Sequence, residues 1–395
     1  MTNANNNLRQ LYFTAMPVGA ACNLSCSYCY YLDKRQILPN NGLMSDQVLH
    51  AYLEQALLIN NKTKTCDFNW GGGEPLLAGK DFFRRAIKLQ AELGQGRRIR
   101  NTIQTNATLI DDEWCELFSA NDVIVSVSVD GPEAIHNAYR KGPLGEGSFA
   151  EVMRAIELLR KYNIQYKTLT TINAINETTP LEVYETVSSV SDYMQFVPVM
   201  ERHCTIREIE ELGLLFAQPP LENTNDFNRR ILPFSATPEG YGNFLITVFE
   251  HWRKKDIGKK YIGLFEITFH NLIGRPLGCC MHSSSCGNFL SIEPNGDVYP
   301  CDRYAYKGCK LGNILQTPLI ELAQQSREFG LSKLRSLNSK CLNCQQLLLC
   351  YGGCPKDRVT IINNEDSPPN YFCPSYKRFF AHLQQYVKKE QRSNK

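Results

Sequence analysis

The run Cys22-Asn-Leu-Ser-Cys26-Ser-Tyr-Cys29 constrains this chain more than any other feature. Spacings of four and three residues let three thiolates converge on one compact metal centre if the backbone folds into a tight loop. A cubane iron–sulfur cluster normally takes four thiolates. Three local cysteines with no obvious fourth nearby leave one iron open, and an open coordination position marks a chemically active metal site. A zinc knuckle would want a fourth ligand close by, and the nearest histidine, His50, lies well downstream.

The other cysteines extend the argument. There are 16 in all, three within the first thirty residues and ten between Cys279 and Cys373. The N-terminus, Met1-Thr-Asn-Ala-Asn-Asn-Asn-Leu-Arg-Gln10, has no apolar signal core, so a cytoplasmic protein is expected. In that setting the cysteines are read as thiolate ligands, not as a disulfide framework. A net charge of +3 is too small to argue for nucleic acid or an anionic membrane. No apolar stretch approaches the roughly 18 residues of a membrane span. The 395 residues suffice for one large domain and a smaller one.

From residue 10 to about 200, short β-rich runs alternate with amphipathic helical runs. The pattern predicts strands at Tyr12–Pro17, Thr65–Trp70, Arg98–Gln104, Val123–Val129, Tyr166–Ile172 and Tyr193–Val197. It predicts helices at Ser45–Leu58, Gly79–Leu93, Asp112–Ala120, Phe149–Tyr162 and Pro180–Val190, with Ser45 and Asp111 suited to their starts. Six β/α units imply an α/β fold, a parallel sheet curled into a full or partial barrel with its chemistry at the strand C-termini. Those ends lead to the three cysteines, to Gly71-Gly72-Gly73-Glu74-Pro75, to Gln104-Thr105-Asn106, to Ser128-Val129-Asp130-Gly131-Pro132 and to Pro198-Val199-Met200-Glu201-Arg202. The expected domains are a barrel over 1–237, with 202–237 as a long loop or insertion, a bridging helical region over 238–275, and a cysteine-rich module over 276–395. That module ends in an amphipathic helix over Tyr376–Lys395. Ile292-Glu-Pro-Asn295-Gly296-Asp-Val298 reads as a hairpin with an Asn-Gly turn.

With the cysteine run, Gly72-Gly73-Glu74-Pro75 resembles the hallmarks of the radical S-adenosylmethionine (SAM) enzymes. Glycines let a ligand approach the backbone closely, and the Glu74 carboxylate can accept hydrogen bonds from an ammonium group. The resemblance implies a partial (β/α)6 barrel in which Cys22, Cys26 and Cys29 hold a [4Fe-4S] cluster. It assigns Gly72, Gly73 and Glu74 to the methionine amino group of SAM and Tyr28 to its adenine. Ser128 and Arg140 match positions that contact its ribose and carboxylate, with Arg154 and Met200 as weaker candidates. Asp130 can simply cap the turn at Gly131-Pro132. The chemistry implied is reductive cleavage of SAM to a 5′-deoxyadenosyl radical, which takes a hydrogen atom from an unactivated C–H bond.

Eight further cysteines suffice for two fully coordinated clusters. Their layout resembles the SPASM domain, whose ligands interleave. By that resemblance Cys280, Cys286, Cys301 and Cys354 hold one auxiliary cluster, and Cys341, Cys344, Cys350 and Cys373 the other, making three [4Fe-4S] clusters. Cys279 could compete with Cys280. Asp302, next to Cys301, matches a proposed proton acceptor.

Within the superfamily the chain is most similar to the anaerobic sulfatase-maturating enzymes. The residues that carry this are Ser128-Val-Asp130-Gly-Pro132 with His136 and Tyr139-Arg140, Gln195-Phe-Val-Pro198-Val-Met-Glu201-Arg202, Gly296-Asp-Val-Tyr-Pro-Cys301-Asp302 and Tyr351-Gly-Gly-Cys354-Pro355-Lys356. Gly71 departs from the pattern, since related chains commonly carry a Gln there. The resemblance implies oxidation of a Cys or Ser in a sulfatase segment to Cα-formylglycine, fed by a low-potential donor such as flavodoxin or ferredoxin, with no nucleic acid or membrane partner. A maturase that crosslinks another ribosomal peptide, by thioether or carbon–carbon bonds, is the alternative. A non-enzymatic metal scaffold is the remote one.

Overall fold

Six runs that alternate inward and outward side chains form parallel strands: β1 (Tyr12–Ala15), β2 (Thr65–Trp70), β3 (Arg98–Thr105), β4 (Ile124–Ser128), β5 (Tyr166–Ile172) and β6 (Tyr193–Pro198). The computed structural model describes residues 11–39, 42–60, 64–219, 230–358 and 368–393. Each strand pairs in parallel with the next. Helices Asp46–Ile59, Lys80–Gly94, Asp112–Ala120, Phe149–Lys161 and Pro180–Val190 return the chain between strands. Two helix starts follow from single polar side chains: Ser45 accepts the Val48 N–H at 3.3 Å, and Asp111 accepts the Trp114 N–H at 2.8 Å.

In β2, Cys66, Phe68 and Trp70 are buried while Thr65, Asp67 and Asn69 are half-buried. The buried set lies under the helices, where Trp70 meets Tyr52, Phe82 and Phe83 edge-on at 5.5–5.9 Å. A fully buried ring such as Phe68 contributes on the order of 1.5–3 kcal/mol. The opposite strand face lines the barrel interior, where Asp67, Asn69, Arg100, Thr102 and Lys167 border a cavity of about 630 Å³ at the N-terminal ends.

The sheet does not stop at the barrel. β7 (Tyr261–Ile262) extends it beyond β6, and β8 (Phe289–Ile292) runs parallel to β1 on the other edge. β9 (Asp297–Tyr299) returns antiparallel to β8, followed by β10 (Gly312–Asn313). The result is one ten-stranded sheet in the order β10-β9-β8-β1-β2-β3-β4-β5-β6-β7. An open barrel leaves the N–H and C=O groups of its first strand unpaired, and β8 satisfies them. The expected boundary near residue 276 therefore does not divide the sheet. The β8–β9 turn uses Gly296 at φ 86°, with its N–H on the Glu293 carbonyl at 2.9 Å.

The stretch read as a loop over 202–237 contains a short helix, Ile206–Leu212, started by a reciprocal Thr205/Glu208 capping box. Residues 220–229 of that stretch, Pro220 among them, lie outside the described residues. Helices Pro238–Lys255 and Gly263–Leu272 fill the bridging region. The terminal helix, Cys373–Ser393, starts earlier than the expected Tyr376 and docks on Pro238–Lys255, with Phe249 against Phe379 and Tyr386. Among the described residues no helix is long and apolar enough to cross a membrane.

Candidate functional site

The first cysteine loop leaves β1 at the C-terminal end of the barrel. The Cys29 N–H donates to the Cys26 carbonyl at 2.9 Å, and Asn106 Nδ2 reaches Cys22 Sγ at 3.7 Å. The Arg35 guanidinium straps the loop by donating to the carbonyls of Ala20, Cys22 and Leu24 at 3.0–3.3 Å. Burial pushes all three thiols up, Cys26 to about 12, and neighbouring thiols push Cys22 and Cys26 further. Sulfurs crowded like this hold negative charge only with a cation among them, which fits a metal cluster. Among the described residues no three Cys, His, Asp or Glu side chains close around a single ion.

On the side where a Cβ would stand, Gly72 and Gly73 meet backbone. A Cβ on Gly72 would lie 2.5 Å from the Gly19 carbonyl oxygen, and one on Gly73 2.1 Å from that of Ala21. The N–H groups of Gly73 and Glu74 donate to Gly19 and Ala21 at 2.9 and 2.8 Å. The two glycines thus join the loop after β2 to the chain leading into Cys22. The Glu74 carboxylate is fully buried. Oε1 accepts from the Leu76 N–H at 3.0 Å and the Thr105 hydroxyl at 2.7 Å, and Oε2 from the Asn106 N–H at 2.8 Å. Burial raises it to about 7 against those three donors. The segment's free acceptors are backbone: among the described residues the carbonyls of Gly72 and Gly73 accept no hydrogen bond.

Asp130, read from sequence as a turn cap, is a buried hub. Its carboxylate accepts from the Tyr28 hydroxyl at 2.5 Å, from Arg140 Nε at 2.9 Å and from the Thr171 N–H at 2.9 Å. Arg140 is 7% exposed and lies 5.6 Å from the centre of the Tyr28 ring, while Tyr139 packs edge-on against the same ring at 5.7 Å. Tyr28 shares an apolar cluster with Leu24, Cys26 and Val199, so it adjoins the cysteine loop. Ser128 ends β4 and accepts from Gln104 at 3.2 Å. His136 is locked between the Asp130 N–H and Ser148, and burial lowers it to about 4. Met200 is 2% exposed within the main core. Arg154 is exposed, with its guanidinium on the Thr108 carbonyl at 3.3 Å.

The cysteine-rich module brings its thiols together in two groups. Cys301 lies within electrostatic reach of Cys280, Cys286 and Cys354. Cys373 lies within reach of Cys341 and Cys344, and Cys350 within reach of Cys373 and Cys341. Cys279 lies within the same reach of Cys280 and Cys354, and its Sγ also accepts the backbone N–H groups of Met281 and His282. Lys333, fully buried, was not singled out from sequence. Its ammonium donates to the carbonyls of Cys280, Met281 and Ser283 at 2.6–2.9 Å. Burial lowers Lys333, and the charges that hold it up are Cys280, Cys286 and Cys354. A buried ammonium balanced by thiols fits an anionic cluster there.

Asp302 is half-buried and opens a single helical turn after Cys301. The Tyr30 hydroxyl donates to its carboxylate, and the Lys34 ammonium to its carbonyl. Tyr30 follows Cys29 directly, so one hydrogen bond joins the neighbour of a first-loop cysteine to the neighbour of an auxiliary one. Tyr30 carries no sequence signal beyond that adjacency.

A barrel with an open three-cysteine loop, joined to a module with two thiol sets, defines a radical SAM enzyme with auxiliary iron–sulfur clusters. The family model for the radical SAM superfamily matches residues 16–190, and that for an iron–sulfur cluster-binding domain matches residues 279–345. A serine-type anaerobic sulfatase-maturating enzyme of Bacteroides thetaiotaomicron is 38% identical over 96% of this chain and 91% of its own. A cysteine-type enzyme of Clostridium perfringens is 31% identical over 93% of this chain and 94% of its own. The solved structure of native anSMEcpe with bound AdoMet superposes with a TM-score of 0.81 at 28% identity, covering 96% of this chain and 98% of that one. The chain belongs to the anaerobic sulfatase-maturating enzymes.

Proposed function

We propose that this chain oxidises a Cys or Ser side chain of a sulfatase peptide segment to Cα-formylglycine in the cytoplasm. The observation that carries the reading is the Tyr30–Asp302 hydrogen bond, which links the first cysteine loop to the auxiliary thiols. Cys22, Cys26 and Cys29 hold the first cluster. Cys280, Cys286, Cys301 and Cys354 hold the second, and Cys341, Cys344, Cys350 and Cys373 the third. The carbonyls of Gly72 and Gly73 receive the SAM ammonium, while Tyr28, Ser128 and Arg140 orient the rest of it. Glu74 acts indirectly, by fixing the loop that carries those carbonyls. When bound, the clusters and SAM supply one-electron reduction and a carbon radical that removes a hydrogen atom from the substrate β-carbon. Asp302 takes the proton from the substrate hydroxyl or thiol, which makes the remaining electron easier to release. A flavodoxin or ferredoxin is the electron source.

The test is anaerobic incubation of reduced enzyme, SAM and a sulfatase-motif peptide. Formylglycine with 5′-deoxyadenosine is expected. 5′-Deoxyadenosine with an unaltered Ser or Cys would refute the reading.

A further inference from the structure

The cavity of about 630 Å³ lies at the N-terminal strand ends, opposite the loop that bears Cys22. A closed β/α barrel packs its interior with branched apolar side chains. Here the inward positions around the cavity are polar. Asp67 of β2 stands opposite Arg100 of β3, and Lys167 of β5 opposite Ser126 of β4. Four cations, Arg100, Arg160, Lys167 and Lys260, and two carboxylates, Asp67 and Asp192, line the space. Arg100 Nε donates to Asp67 at 2.5 Å and Lys260 to Asp192 at 2.6 Å, which leaves Lys167 and Arg160. Arg160 donates to the Tyr166 hydroxyl and to the carbonyls of Ser189 and Val190 at 2.9–3.0 Å, all of them neutral. Lys167 is half-buried, and among the described residues its ammonium has neither a hydrogen bond nor an ion pair. Burial and the nearby Arg100 charge both lower it, and no carboxylate offsets them.

An ammonium half-buried without a counter-ion is costly, and an anion set between it and a guanidinium relieves both. Four cations less two carboxylates leave two positive charges, which match a dianion. Lys167 and Arg100 repel each other at close quarters, so one compact dianionic head suits them better than two separate carboxylates. A phosphate monoester is such a head at neutral pH, and Arg and Lys are the side chains that hold it. The volume falls in the range of pockets for small organic ligands, and Ile124, Ile164 and Val190 give it an apolar wall. We propose that this cavity binds the phosphomonoester of a small organic molecule, its phosphate between Lys167 and Arg100 and its organic part along that wall. The site is separate from Tyr28, Ser128 and Arg140, which stand at the other end of the strands.

Calorimetric titration of the full-length, cluster-loaded enzyme with phenyl phosphate tests this, against inorganic phosphate and succinate at equal ionic strength. One phenyl phosphate should bind per chain, about tenfold tighter than either comparator because its ring is buried too. SAM should not weaken it. A hundredfold excess over the dissociation constant should raise the melting midpoint by roughly 3 °C. Lys167→Met should weaken binding by about tenfold or more, and Lys167→Arg should retain it. Lys88→Met, on the exposed face of the helix Lys80–Gly94, should change nothing. With the unpaired charge removed, ligand-free Lys167→Met should keep wild-type iron and a midpoint no lower than wild type. A lower ligand-free midpoint would give Lys167 a structural role and overturn the proposal. So would phenyl phosphate binding no tighter than inorganic phosphate or succinate, binding unchanged in Lys167→Met, or competition with SAM.

Discussion

Replacing Gly73 with alanine tests whether the glycine segment is there for backbone or for ligand. The added Cβ would stand 2.1 Å from the Ala21 oxygen, 2.6 Å from its carbonyl carbon and 2.7 Å from the Ala20 oxygen. Opening the closest contact to 3.0 Å moves one backbone against the other by roughly 0.9 Å, an overpacking that costs about 1–3 kcal/mol. The same movement stretches the bonds from Gly73 to Gly19 and from Glu74 to Ala21, worth about 1 kcal/mol each. A total of about 3–5 kcal/mol, against an unfolding entropy of about 0.8 kcal/mol/K for a chain of this length, lowers the melting midpoint by roughly 4–6 °C. The displaced segment leads straight into Cys22, so iron retention on gel filtration should fall with the midpoint. Gly71→Ala is the internal control, since its Cβ meets side chains and no backbone: Thr14 Cγ2 at 3.3 Å and Met16 Sδ at 3.9 Å. A Gly73→Ala enzyme with wild-type midpoint and iron, yet weakened SAM binding, would refute the backbone argument in favour of ligand clearance.

Other outcomes follow from the same geometry. Asp130→Asn leaves the Arg140 charge buried without its partner, and denaturation should show a loss of about 3–5 kcal/mol. His136, lowered to about 4, stays neutral in the fold while the unfolded chain protonates near 6.5. Its contribution to stability is therefore present above pH 6.5 and lost as pH falls towards 4; NMR should find the imidazole untitrated at pH 5, and His136→Gln should flatten that part of the stability profile. Lys333→Met removes a cation donating to three carbonyls around Cys280, and iron should drop below the roughly twelve per chain of three clusters. Zinc with no iron in the purified chain would contradict all the cluster assignments.

The barrel was legible because its signals are local. Period-two burial and capping residues put β2, β5 and the helices Asp112–Ala120 and Pro180–Val190 on their expected bounds. The β1–β8 pairing was not, because nothing near Tyr12 announces a partner at Phe289. Spacing alone said nothing of how eight cysteines divide; that came from resemblance. The partners of Glu74 and Asp130 were not legible for a common reason. A carboxylate in a sequence does not say which groups it will meet, and only the fold brings Leu76, Thr105 and Asn106 to Glu74, or Tyr28, Arg140 and Thr171 to Asp130. Tyr30, Lys34 and Lys333 carried no pattern, since each owes its importance to a residue far away along the chain.

The shared sheet has a consequence for how a substrate gets in. β1 and β8 are laced in register from Tyr12 opposite Phe289 to Ala15 opposite Ile292, and the loops bearing Cys22 and Cys301 both lie downstream of that ladder. Two lobes stitched this way cannot swing apart like jaws to admit a folded domain. Under the proposed function, a segment to be oxidised reaches both loops as extended chain while this seam stays paired.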